Sequence, residues 1–140
     1  MASISLQQLK VVEDQLLQIR EAIRNLELWN ANLTDANDLM TSPGGTKTLA
    51  ADCMLIEAIG EGVKRIDERT QQQILPSRPE IPWKAVKGMR DHIAHGYFDI
   101  NVDFVWDVVK NDLPALRDAI DYFLEHLYEI VPTDIQQTRC

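Results

Sequence analysis

SLQQLKVVEDQLLQIREAIRNLELW, residues 5–29, carries Leu9, Val12, Leu16, Ile19, Ile23 and Leu26 at alternating intervals of three and four. That spacing holds the six side chains on one face of an α-helix, whose turn is about 3.6 residues. The stretch predicts a first helix from Ser5 to about Trp29, with Ser3 or Ser5 as its N-cap. Working outwards, Leu49, Cys53, Ile56, Ile59, Val63 and Ile66 repeat the pattern and predict a second long helix from Thr46. Between them, Asn30–Gly45 is polar, ends in Ser-Pro-Gly-Gly, and reads as a loop with room for one helical turn. Pro76, Pro79 and Pro82 close the second helix and enforce an extended connector. Pro82 suits the first position of a third helix, running to His95 and stopping at Gly96. Asn101 caps a fourth helix through Val109, and Asp112 with Pro114 opens a fifth that ends before Pro132. No segment of period-two alternation lasts long enough to propose a sheet. The expectation is an all-α bundle of about five helices, two of them long and antiparallel, forming one domain over residues 1–140.

The composition narrows the function classes. A chain of 140 residues, 45% hydrophobic and 26% charged, is neither a disordered tail nor a collagen-like repeat. Two cysteines make no disulfide framework: Cys53 lies inside an apolar helical run and Cys140 is the last residue. The opening MASISLQQLK lacks a basic stretch followed by an apolar core, so no signal peptide is expected. No apolar run approaches the ~20 residues of a membrane span. A reducing cytoplasm is the expected location, with no membrane partner.

A net charge of −8 argues against a broad nucleic-acid surface. The distribution is more telling than the sum. Residues 78–98 hold Arg78, Lys84, Lys87 and Arg90 against only Glu80 and Asp91, whereas the segments on either side are both net acidic. The basic island surrounds Arg90, inside Met89-Arg90-Asp91-His92-Ile93-Ala94-His95-Gly96-Tyr97. Arg90 offers a permanently charged, forked donor suited to a phosphate. His95 can take and return a proton near neutral pH, as phosphodiester cleavage requires. Asp91, four residues before His95, falls on the same helical face and could orient its ring. Arg90 and His95 are five apart, about 140° around a straight helix, so their convergence needs a long stem, an irregular helix end or a second protomer.

Each of these residues also has a plainer reading. Arg90 could lie along the surface and pair with Asp91 or Glu61. His92 and His95 could serve as metal ligands with Asp91, but the chain supplies no further ligand nearby. Tyr97 could be a packed aromatic, and Trp83 and Trp106 read as core anchors before base-stacking platforms.

The string Arg90-x-x-x-x-His95-x-Tyr97 resembles the signature of HEPN-fold proteins, specifically the HepT-like ribonuclease toxins. Ile59-Gly60-Glu61-Gly62-Val63-Lys64-Arg65 is similar to the family's second-helix motif. Pro79-Glu80-Ile81-Pro82-Trp83 and Gly88-Met89-Arg90-Asp91 resemble its approach to the active helix. His95-Gly96-Tyr97-Phe98, Val105-Trp106-Asp107 and Asn111-Asp112-Leu113-Pro114 resemble its exit. The resemblance covers roughly residues 49–125, and an ordered set of motifs is far more specific than a bare Arg-x4-His.

It implies a HEPN-type helical bundle and a metal-independent, cofactor-free endoribonuclease acting as a homodimer. Arg90 would hold the scissile phosphate, His95 would be the general acid/base, and Asp91 would play a supporting part. The ribose 2′-hydroxyl would attack, restricting the substrate to RNA such as tRNA or mRNA. Tyr97 would be the residue adenylylated by a cognate minimal nucleotidyltransferase antitoxin, which silences the toxin. Two other classes stay open: a non-catalytic HEPN module that binds a nucleotide or partners a nucleotidyltransferase, and a dimeric helical adaptor with no site.

Overall fold

The computed structural model describes residues 3–93 and 98–133. Helix α1, Leu6–Trp29, begins where Ser5 accepts a hydrogen bond from the Gln8 N–H at 3.1 Å. All six residues of its apolar stripe are buried. A short 3-10 turn, Ala36–Leu39, occupies the polar connection. Helix α2, Pro43–Arg69, starts three residues before the expected Thr46. Ser42 caps it by accepting from Gly45 N at 2.9 Å, and Pro43 loses nothing in the first turn, where an N–H has no helical partner. A Cβ at Gly45 would run into the Asp38 carbonyl, so this start requires glycine.

Of the α2 stripe, Leu49, Ile56, Ile59, Val63 and Ile66 are buried and Cys53 is half-buried. The helix ends at Thr70, well before the prolines. Gln71 and Gln72 then take φ of 53° and 62°, a left-handed pair that costs roughly 1–2 kcal/mol per residue away from glycine. The prolines come later, around a 3-10 turn at Leu75–Ser77.

The expected third helix is two. Helix α3, Trp83–Lys87, has Pro82 as its N-cap rather than its first residue, and α4 is Met89–Ile93. Gly88 separates them, its N–H returning to the Lys84 and Val86 carbonyls. The expected end of that helix at His95 and Gly96 lies outside the described residues. Asn101 caps helix α5, Val102–Asp107, by accepting from Phe104 N at 3.1 Å. No gap separates the expected fourth and fifth helices: a π segment, Val108–Asp112, carries α5 directly into α6, Leu113–Ile130. The described residues are therefore built of helices, and a β-bridge, Ile4 to Thr133, ties the two ends of the bundle together.

Helices α1 and α2 run antiparallel. Asn30 at the end of α1 meets Asp52 early in α2, while Ile19 packs against Gly62 further along. Helix α6 is antiparallel to α1 as well, with Glu27 paired to Arg117 at 2.6 Å and Arg20 to Asp121 at 2.9 Å. The buried apolar side chains form one cluster among these three helices, extending under α3–α5. At roughly 1.5–3 kcal/mol for each fully buried Leu, Ile or Val, the α1 stripe alone is a large stabilising contribution. Gly60 lets α3 lie close on α2, since a Cβ there would stand 3.0 Å from the Val86 carbonyl oxygen. No described helix is long and apolar enough to cross a membrane.

Candidate active site

Helix α4 is only five residues long, so packing must hold it where propensity cannot. Met89 and Ile93, one turn apart, are buried and anchor it. That anchoring leaves Arg90, Asp91 and His92 on the exposed side. His92 lies against the Phe104 ring of α5, with centroids 5.5 Å apart and planes tilted by 39°. The Asn101 N–H donates to the Ile93 carbonyl at 2.7 Å, so the chain rejoins the bundle at the point where α4 ends. His95 and Tyr97 lie outside the described residues, as do any contacts they make with Arg90 or Asp91.

The basic island is thinner than its composition suggests. Arg78 is bound to Glu80 at 2.6 Å and stands 5.1 Å over the Tyr122 ring. That contact holds the Glu80 carboxyl below its ordinary range. Lys87 reaches back to the buried carboxylate of Asp67 on α2. Arg90 and Lys84 are exposed and have no ion-pair partner among the described residues. The plainer expectation, Arg90 paired with Asp91 or Glu61, is not what the structure shows. A guanidinium without a carboxylate partner is available to an anionic ligand.

The two aromatic anchors differ. Trp83 packs on Phe123 at 5.6 Å, and its Nε1–H donates to the Arg78 carbonyl at 2.9 Å, which makes it a structural clamp at the head of α3. Trp106 is half-buried and carries Lys110 4.8 Å over its ring.

Two features of the fold are not announced by the motifs of the sequence. The first is a cavity of about 380 Å³, within the common range of ligand pockets, between α3–α4 and the α5–α6 junction. His92, Phe104, Asn111 and Asp112 are among its lining residues. In the sequence Asn111 and Asp112 stand as part of an exit motif; in the fold they sit at the end of the π segment and line the cavity.

The second is a polar network inside the core. The Asn30 Nδ2 group donates to Asp52 Oδ1 at 2.9 Å and to the Leu26 carbonyl at 2.8 Å, while Lys110 Nζ donates to the Asn30 carbonyl at 2.8 Å. Asn30 and Asp52 are fully buried, and each keeps one side-chain oxygen without a hydrogen-bond partner among the described residues. Burial pushes the Asp52 carboxyl up to about 6, against the partial relief of the Asn30 hydrogen bond. The signal was present: Asp52 falls three residues after Leu49 and four before Ile56, on the apolar stripe. Next to it, burial and the Asp52 charge push the Cys53 thiol up to about 11, so this cysteine is a packed thiol and not a nucleophile.

A family model described as "Ribonuclease HepT-like" matches residues 19–123. The chain is 33% identical over 109 residues to a Thermococcus cleftensis protein named "Probable ribonuclease HepT", a match covering 78% of this chain and 92% of the relative. It is 38% identical over 68 residues to a Methanocaldococcus jannaschii protein named "Putative RNase", covering 49% of this chain and 53% of that one. A further match, 31% over 120 residues, is to an M. jannaschii protein named "Gamma-glutamylcyclotransferase and putative RNase", covering 84% of this chain and 50% of the relative. The matches span nearly all of the Thermococcus relative but about half the length of the two Methanocaldococcus ones. No solved structure matches the chain.

Proposed function

Since this chain belongs to the HepT-like ribonuclease family, we propose that it is a metal-independent endoribonuclease, a single-domain toxin silenced by modification of Tyr97. The observation that carries the reading is the family match over residues 19–123, a span that includes Arg90, which is exposed and has no ion-pair partner among the described residues. In the proposed reaction, His95 takes the proton of a ribose 2′-hydroxyl. The 2′-oxygen attacks phosphorus, and the bond to the 5′-oxygen breaks. The proton returns from His95 to that leaving oxygen, giving a 2′,3′-cyclic phosphate and a free 5′-hydroxyl. Arg90 pairs with the non-bridging oxygens, where charge builds in the transition state. Asp91 supports the ring of His95. The requirement for a 2′-hydroxyl restricts the substrate to RNA, tRNA and mRNA being the candidates.

Two copies facing one cleft would bring two Arg90 side chains to the RNA and offset the acidic exterior. RNA affinity should then fall with salt by ~0.7 decades per decade for each phosphate neutralised on a single strand. A cognate nucleotidyltransferase would transfer AMP from ATP to the Tyr97 oxygen, releasing pyrophosphate. The added bulk and negative charge, two residues beyond His95, would repel the RNA backbone.

The test is cleavage of total tRNA in EDTA by the wild type beside His95→Ala, after an intact-mass check that Tyr97 is unmodified. Cutting by the wild type and not by the folded variant supports the mechanism. Equal behaviour of unmodified wild type and variant across RNA types overturns it. With the neighbouring nucleotidyltransferase and ATP, a mass gain of whole AMP units that is absent in Tyr97→Phe supports the silencing step.

A further inference from the structure

The cavity beside α4 is built unlike a phosphate site. Val86 and Met89 close its buried side, and the His92 and Phe104 rings line it from α4 and α5. Asn111 and Asp112, both exposed, stand at its edge. They are placed there by the π segment, a rare feature that turns up frequently at functional sites. Arg90 and Lys84, without ion-pair partners among the described residues, belong to the same two short helices and are not among the described lining residues. Acidic groups do: Asp112 lines the cavity with Asp107 behind Asn111, while Glu80, also in the lining, is paired with Arg78. An acidic rim on an apolar, aromatic cavity rejects a phosphate and accepts a flat ring that carries N–H donors.

We propose that this cavity is a nucleobase subsite reading guanine on the RNA strand held at Arg90; the assignment rests on the ribonuclease reading above. Asn111 has one amide N–H engaged with Asp107 Oδ1 at 2.7 Å, which fixes the group and leaves its other N–H free. That N–H would donate to guanine O6. The two Asp112 oxygens would accept from N1–H and N2–H, the adjacent donor pair that only guanine presents on its pairing edge. Adenine and cytosine would put a ring-nitrogen lone pair against the carboxylate, and uracil offers a single donor between two acceptors. Partial desolvation at the cavity edge and the nearby Asp107 charge hold the Asp112 carboxyl above its ordinary range, and two N–H donors would relieve that cost. Base stacking on aromatic rings tolerates any base, so Phe104 and His92 would supply affinity while the rim supplies choice.

The probes are the four nucleoside 3′-monophosphates, titrated into the full-length protein by NMR. Sequencing of the RNA ends left by cleavage runs in parallel. The expected result is a guanine nucleotide bound ten- to a hundredfold more tightly than the other three, the usual discrimination of a bidentate contact. Asp112→Asn should lose that preference with unchanged melting, and Phe104→Leu should weaken all four nucleotides together. Equal binding of the four, or a preference that survives in Asp112→Asn, overturns the proposal. RNA cut with no guanine bias sinks the subsite and leaves the ribonuclease standing. A guanine preference lost in Asp112→Asn, in a protein that cuts no RNA, upholds the reading of guanine and sinks the catalytic reading instead.

Discussion

Helices α1, α2 and α6 run for 24, 27 and 18 residues, whereas α3, α4 and α5 have five, five and six. The long three bury regular stripes and exclude water from one another. The short three are too brief to be stable alone and persist because single anchors, Val86, Met89, Ile93 and Val105, are sunk into the core that the long three build. The difference teaches where chemistry can be placed. A long helix spends one face on burial along its whole length. A one-turn helix pinned at two points leaves the polar side chains between the pins to solvent, as Arg90 and His92 are left on α4.

The comparison breaks most readily at the scaffold. Leu16→Ala empties a fully buried position of α1 and should cost about 2–5 kcal/mol in denaturant unfolding, with residual activity per folded molecule retained. Arg90→Gln is the mirror experiment. It should lower RNA cleavage by roughly 10²–10³-fold, the scale of one lost transition-state donor, and shift stability by less than about 0.5 kcal/mol. A large loss of stability in Arg90→Gln would instead place this side chain in the structural class.

Smaller, and diagnostic by its pH dependence, is Asp52→Asn. A carboxyl raised to about 6 in the fold binds its proton more tightly there than in the unfolded chain. Its contribution is therefore complete below about pH 4 and is lost as pH rises through 6, by roughly 3 kcal/mol at about 1.4 kcal/mol per pKa unit. The stability difference between variant and wild type should move in favour of the variant by that amount between pH 4 and pH 7.5, as read from urea midpoints. A difference that stays flat with pH would show that Asp52 is charged at little cost. The smallest effect belongs to Arg20→Ala: its exposed pair with Asp121 across α1 and α6 should be worth under about 1 kcal/mol, and less in high salt.

Repetition along the chain is a local signal, which is why the sequence by itself determined so much of the scaffold. Intervals of three and four must face one way on any α-helix, so both long stripes, a cap at Ser3 or Ser5 and the all-α class were legible before any packing was known, and the structure gives the cap to Ser5. The Arg90 island, with His95 and Tyr97 beside it, was legible as a motif. The Pro43 start of α2 and the close approach of α3 to α2 were not, because each answers to a contact between separate segments: the Asp38 carbonyl against Gly45 and the Val86 carbonyl against Gly60. The break at Gly88 and the π segment carry no period along the chain that would announce them. Tertiary structure alone decided which charges are spent. Lys87 meets Asp67 20 residues away, Asn30 meets Asp52 22 away, and Lys110 reaches Asn30 80 away. Electrostatic partners are chosen by proximity in space, and no period along the chain encodes that. The same packing leaves Arg90 without an ion-pair partner among the described residues and brings Asn111 and Asp112 to the cavity edge beside His92.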